Sequence, residues 1–188
     1  MIRLRYGNTN TYLLGGLLID TDLPGTLPAF RRALKTSGVG IASIRYVLAT
    51  HYHPDHMGLI PELMALGVRL ALPENQLAYV HASDAILLRE KNGFRPIDER
   101  EARILPLSES RRFLSELGLA GEILPTASHS PDGIALMLDG GDCFLGDLEP
   151  RAWIPAYEEG STLQKDWDVI LSRHPTHGYF GHANDQAL

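Results

Sequence analysis

Read for its apolar and polar positions, the chain opens with "TYLLGGLLID" (11–20), two short apolar runs around Gly15-Gly16. This pattern predicts a β-hairpin whose second strand ends on Asp20. In "LPAFRRALKTSG" the apolar Leu27, Phe30, Ala33 and Leu34 share one helical face, and Gly38 is a natural stop. "IRYVLAT" (44–50) is mostly apolar and β-prone, as a strand buried on both faces would be, and "GLIPELMALG" after it predicts a helix. "VRLALP" (68–73) closes a strand, helix, strand unit.

From Glu74 to Arg103 the chain is charged and less periodic, an apparent insertion broken at "KNGFRP" (91–96). "SESRRFLSELG" (108–118) predicts a helix with Ser108 as its cap and Gly118 as its stop. "IALMLDGGDCFLGD" (134–147) reads as a hairpin about Asp139-Gly140-Gly141. "TLQKDWDVILSRH" places Leu163, Trp167, Ile170 and Leu171 at helical spacing, and "GYFGHA" (178–183) is a last short strand. Strands and helices alternate in both halves, so the expected class is α/β, with helices packed outside sheets.

The chain's 188 residues suit one compact domain, and no run reaches the roughly 20 apolar residues of a membrane span. The amino terminus turns polar at Asn8-Thr9-Asn10, so no secretion signal is expected and the cytoplasm is the default location. A formal charge of −6 argues against nucleic acid as a partner. The single cysteine, Cys143, rules out an internal disulfide and reads as a buried strand residue.

One stretch changes this picture. "ATHYHPDHMG" (49–58) holds three histidines and an aspartate within six positions, at the end of a strand predicted to be buried. On an extended chain His51, His53 and Asp55 would project together, and Pro54 disfavours a helix interior. Imidazole and carboxylate donors suit zinc, iron or manganese, and one cysteine excludes a thiolate-lined structural zinc site.

"THYHPDHMG" resembles the His-x-His-x-Asp-His signature of the metallo-β-lactamase fold superfamily. "NTNTYLLGGLLIDTD" resembles that family's opening strands, "SHSPDGIALML" its second histidine motif, "CFLGDL" its aspartate motif and "YFGHAN" its terminal glycine-histidine, all in the family's order. The resemblance implies a single domain over residues 1–188: a four-layer αββα sandwich with two mixed sheets face to face and helices outside. It implies a dinuclear site, with His51, His53 and His129 on one metal, Asp55, His56 and His182 on the other, and Asp147 bridging. His129 follows Ser128 where the family usually has glycine, and His182 competes with His174 and His177, which fall before the last strand.

Two divalent ions, zinc first with iron or manganese as alternatives, imply a metal-dependent hydrolase. A metal can lower the pKa of a bound water from about 16 to about 7, so hydroxide is the expected nucleophile, with Asp55 and Asp147 as the residues that orient it and take its proton. Asp20 and Thr50 are candidates to hydrogen-bond a ligand histidine, and Asp20 serves equally as a strand cap. Six residues follow His182, so no carboxy-terminal helical domain of the hydroxyacylglutathione hydrolase type is expected. A small thioester, ester or lactone is the expected substrate. An iron-dependent oxidoreductase of the same fold and a non-catalytic metal-binding member stay open, as does a homodimer. Tyr79, Phe94 and Arg95 in the insertion, and Trp153 and Tyr157 after Asp147, are pocket-wall candidates, with core packing or a subunit contact as the alternative. His81 is read as a surface residue.

Overall fold

The hairpin at Gly15-Gly16 forms where the two apolar runs placed it, with both glycines at positive φ, 51° and 90°. In the computed structural model, which describes residues 1–90 and 93–188, it is the middle of a larger sheet. The chain divides into two units, Met1–Pro106 and Leu107–Leu188.

In the first unit, β1 (Ile2–Leu4), β2 (Thr11–Leu14) and β3 (Leu17–Ile19) form an antiparallel meander. Parallel partners β4 (Tyr46–Leu48), β5 (Arg69–Pro73) and β6 (Arg103–Leu105) extend it in the order β1-β2-β3-β4-β5-β6. Parallel neighbours need crossovers, and these carry α1 (Leu27–Thr36), then α2 (Pro54–Met57) with α3 (Ile60–Met64), then α4 (Asp84–Arg89). Leu13, Leu18, Val47, Leu70 and Leu72 share a core with Phe30 and Leu34 of α1 and Ile60 and Leu63 of α3. Residues of β2, β3 and β4 are buried throughout, which explains their unbroken apolar runs.

In the second unit, α5 (Ser110–Ser115) precedes a meander of β7 (Gly121–Pro125), β8 (Ile134–Leu138) and β9 (Asp142–Gly146). Then α6 (Thr162–Leu171) crosses over to β10 (His177–Phe180), parallel to β9, and β11 (Gln186–Ala187) closes the edge. Leu163, Trp167 and Ile170 of α6 pack on Leu124, Ala135, Met137, Cys143 and Leu145. Cys143 is fully buried, and burial pushes its thiol pKa up to about 12, so it is a core residue and not a nucleophile.

Both sheets are mixed and both carry helices, so the α/β class stands. Three local expectations change, and one open alternative is decided. Pro54 does not keep the histidine segment extended; it takes the first position of α2, where its missing N–H is no loss, and Asp55 therefore rises from a helical turn. Glu109, not Ser108, precedes α5, and its side chain makes no cap. Phe94 is buried in the first unit's core and is no pocket wall. His177 lies in β10 rather than before it, at the end remote from His182. Of the break expected over residues 91–96, Lys91 and Asn92 lie outside the described residues. Among the described residues, no helix is long and apolar enough to cross a membrane.

Candidate functional site

The carboxyl ends of parallel β3 and β4 deliver Asp20 and Thr50 side by side, with the Asp20 N–H donating to Leu48 O at 2.9 Å. Asp20 is buried in the left-handed region at φ 57°, which aspartate tolerates better than most residues. There its carboxylate accepts the Thr50 N–H at 2.6 Å and the Thr50 hydroxyl at 2.9 Å. That hydroxyl has one hydrogen and gives it to a carboxylate that can only accept, so His51 Nδ1, 3.2 Å from Thr50 Oγ1, is the donor in its own contact. The consequence is a tautomer: His51 presents an unprotonated Nε2, the form a metal needs.

His51 Nε2 lies 3.0 Å from His53 Nδ1, and the His51 and His56 rings stand 4.1 Å apart. Asp20 Oδ2 is 3.0 Å from His56 Nδ1, a close electrostatic contact without the alignment of a hydrogen bond. It favours the proton on Nδ1 and so leaves Nε2 to act as a ligand. His51 and His56 are buried, Asp55 half-buried and His53 exposed.

Groups the motif did not reveal hold this segment. Thr9 Oγ1 donates to Asp55 O at 2.8 Å, and Thr21 donates to His56 O through both its hydroxyl, at 3.0 Å, and its N–H, at 2.9 Å. Buried Asp22 fixes the Thr9 loop by accepting the N–H groups of Asn8, Thr9 and Leu23. Gln76, fully buried, donates to Ala49 O at 3.0 Å.

In the second unit, His129 follows a loop whose Ala127 and Ser128 N–H groups donate to Asp166 Oδ2 at 2.9 and 2.8 Å. Asp166 occupies the buried stripe of α6 beside Trp167, and a carboxylate among apolar positions at helical spacing was its signal in the sequence. Asp147 follows β9 at Gly146, whose φ is 56°, and His182 follows β10 beyond its register shift at Tyr179/Phe180. The Gly181 N–H donating to Gly146 O at 2.7 Å ties these two strand ends together.

His182 Nε2 lies 3.4 Å and His129 Nε2 3.8 Å from the same oxygen, Asp147 Oδ2. Both separations are long for a hydrogen bond. Donor atoms about 2.1 Å from a shared metal sit about 3.0 to 3.5 Å from one another in octahedral or tetrahedral arrangements. The first distance falls in that range, so His182 and Asp147 are spaced as two ligands of one cation would be, and the second lies beyond it.

These residues line a pocket of about 290 Å³ with Glu149, Pro150, Trp153 and Phe180. Tyr157 is exposed and lies outside that lining. Arg95 lines a different groove, with Glu62. His81 is exposed and binds Asp84 and Glu99, and His177 faces Asp185 at 3.0 Å. Of the seven expected ligands, the structure gathers His51, His53, Asp55 and His56 on one segment of the first unit, and His129, Asp147 and His182 in the second. The donor set in each is imidazole and carboxylate, suited to zinc, iron or manganese.

The family model of the metallo-β-lactamase superfamily matches residues 4–168. The chain is 28% identical over 183 residues to the β-lactamase-like protein 2 homolog of Drosophila melanogaster, covering 94% of this chain and 59% of that protein. It spans less than two thirds of that relative's length. A metallo-β-lactamase family protein of Thermus thermophilus superposes with a TM-score of 0.68 at 24% identity, over 95% of this chain and 70% of its own. A protein solved in a di-iron-bound form also gives 0.68 at 24% identity, over 99% of this chain and 93% of its own. These likenesses establish a common fold.

Proposed function

The chain belongs to the metallo-β-lactamase superfamily, and on that footing we propose that it is a dinuclear metal-dependent hydrolase of a small acyl substrate, a thioester, ester or lactone. The observation that carries the reading is His182 Nε2 at 3.4 Å from Asp147 Oδ2, a separation that suits two ligands of one metal, with His129 Nε2 at 3.8 Å from the same oxygen. In this proposal residues 1–188 work as one catalytic domain, and His51, His53, Asp55, His56, His129, Asp147 and His182 hold the metals. Zinc is the first candidate. The di-iron form of the structural relative keeps iron in contention, and manganese suits the same donors.

When bound, such ions would supply Lewis acidity and a water deprotonated near neutral pH. The chain's own residues supply the rest. Asp20 and Thr50 set the tautomer of His51, and Thr9 and Thr21 hold the turn that carries Asp55 and His56. Asp55 or Asp147 takes the proton from the attacking water. Water adds to the acyl carbon, the bond from that carbon to the leaving sulfur or oxygen breaks, and the proton ends on the leaving group.

Elemental analysis of protein purified without chelator, followed by a panel of small esters, thioesters and lactones, tests the reading. Close to two zinc, manganese or iron ions per chain with turnover on the panel is the expected result. One iron per chain with redox activity would replace it with an oxidoreductase. Failure to retain any of these metals after supplementation would overturn it.

A further inference from the structure

We infer that the acyl substrate carries a neutral apolar group next to its scissile bond, and that Trp153 is the wall this group packs against. This rests on the hydrolase reading and names the substrate class. Trp153 lines the pocket of about 290 Å³ together with His129, Asp147 and His182, all within the second unit. It is 55% exposed, and among the described residues its indole makes no ring contact and no hydrogen bond. The segment that carries it is nevertheless fixed. Trp153 lies in a short 3₁₀ turn, Arg151–Ala156, with Pro150 before it and Pro155 inside it, two residues of restricted φ. The Trp153 N–H donates to Pro150 O at 2.8 Å and the Tyr157 N–H to Ile154 O at 3.0 Å. On one side of Trp153, Ile154 packs on the core that α6 forms with its sheet; on the other, the Glu149 carbonyl accepts the indole N–H of fully buried Trp167 at 2.9 Å. A large aromatic ring held out of the core by anchored neighbours on both sides marks a binding surface.

The rest of the lining decides what that surface takes. Beside Trp153 the pocket offers Leu148, Pro150, Phe180 and Ala183, and no lysine or arginine is in the described lining. Apart from the expected metal ligands, the charge there is the Glu149 carboxylate, which disfavours an anionic group. A neutral apolar group meets no such penalty and is indifferent to any positive charge held by Asp147 and the two histidines. Packing on the indole takes its methylenes and the ring face out of water together, worth up to about 4-fold in affinity for each methylene fully buried.

Two series of whichever acyl compound the metal-loaded protein turns over provide the test. One lengthens the acyl chain from acetyl to hexanoyl on a fixed leaving group, and the other lengthens an alkyl leaving group on a fixed acetyl; for a lactone, the chain sits on the ring carbon at either side of the ester. In one series kcat/KM is expected to rise about 2- to 4-fold per methylene, chiefly through KM, and the series that rises identifies the side of the bond that faces Trp153. Trp153→Ala should flatten the rise to about 1-fold per methylene and Trp153→Phe should keep most of it, with metal content per chain as in wild type. Turnover with no rise in either series, or a rise that survives Trp153→Ala, overturns the inference and leaves the hydrolase standing. Loss of metal or a changed oligomeric state in Trp153→Ala overturns it too, because the indole would then serve the metal ligands or a subunit contact. In the absence of any turnover, tryptophan emission is titrated with hexanamide and with acetamide, using Trp153→Phe as control. Tighter, Trp153-dependent binding of hexanamide keeps the apolar site and sinks the hydrolase; no such binding sinks both.

Discussion

Asp20 Oδ2 and His56 Nδ1 stand 3.0 Å apart, both buried, although 36 positions separate them in the chain. The same carboxylate gathers both donors of Thr50, so one side chain ties the end of β3 to the end of β4 and to the turn beyond it. Asp20→Asn keeps the shape and the tolerance of positive φ but loses the charge that orients His56. We expect metal affinity to fall about 10- to 100-fold, the usual consequence of removing such a partner, with the fold intact. Asp20→Ala should in addition leave the Thr50 N–H without an acceptor, lowering stability by about 2 kcal/mol. Metal titration and urea denaturation of the metal-free variants check both, and an unchanged affinity in Asp20→Asn would remove His56 from the ligand set.

Thr21 reaches the same turn from another side. Its hydroxyl donates to His56 O and accepts the Leu59 N–H at 3.2 Å, so Thr21→Val conserves volume while breaking two buried hydrogen bonds. A loss of about 2 kcal/mol is expected, with weaker metal retention because α2 is only four residues long and cannot hold its own geometry. Urea denaturation and metal titration of the variant check both. A nearby glycine has a similar constraint: a Cβ on Gly58 would collide with Pro24 and with the Pro54 carbonyl, so Gly58→Ala should destabilise by about 1 to 3 kcal/mol.

Asp166 does for the second unit what Asp20 does for the first. Asp166→Ala would strip the Ala127 and Ser128 N–H groups of their shared acceptor and free the loop that presents His129. The expected cost is about 2 kcal/mol, and Asp166→Asn should recover part of it, since an amide oxygen can still accept. Calorimetry of the three proteins without metal decides the point; an Asp166→Ala variant as stable as the parent would mean that the loop is held by other contacts.

The repeating units of the fold were legible because periodicity reports burial. The Gly15-Gly16 hairpin, α1, the β8–β9 hairpin and α6 all stand where apolar spacing put them. The three-residue β1 and two-residue β11 are too short for alternation to register. Asp55 was expected on an extended strand, because Pro54 was read as a helix breaker when it is also a helix starter. The histidines announced themselves by density, while Thr9, Thr21, Asp22 and Gln76 act through backbone atoms distant in sequence and leave no pattern. Asp166 was visible in principle, a charge at an apolar position of α6, and for Phe94 the core packing named as the alternative is what forms, a choice the sequence left open because a lone aromatic in a charged stretch carries no periodicity.

His81 supplies a prediction with a pH axis. Its Nδ1 lies 2.8 Å from Asp84 Oδ2 and its Nε2 3.1 Å from Glu99 Oε2, so one imidazolium bridges two carboxylates. The hydrogen bond with Asp84 raises its pKa above the ordinary value of 6.5, aided by Glu99 and opposed by modest burial. A histidine with a folded pKa above its unfolded one contributes stability that is full below about 6.5 and fades as pH rises through the folded value. His81 is 46% exposed, so solvent screening limits the gain to about 0.5 kcal/mol. His81→Gln should therefore lower the urea midpoint slightly at pH 5.5 and leave it nearly level with the parent at pH 9. Equal losses at both pH values would show that the ring stabilises by packing rather than by charge, whereas a loss confined to pH 9 would reverse the sign and place the proton in the unfolded chain.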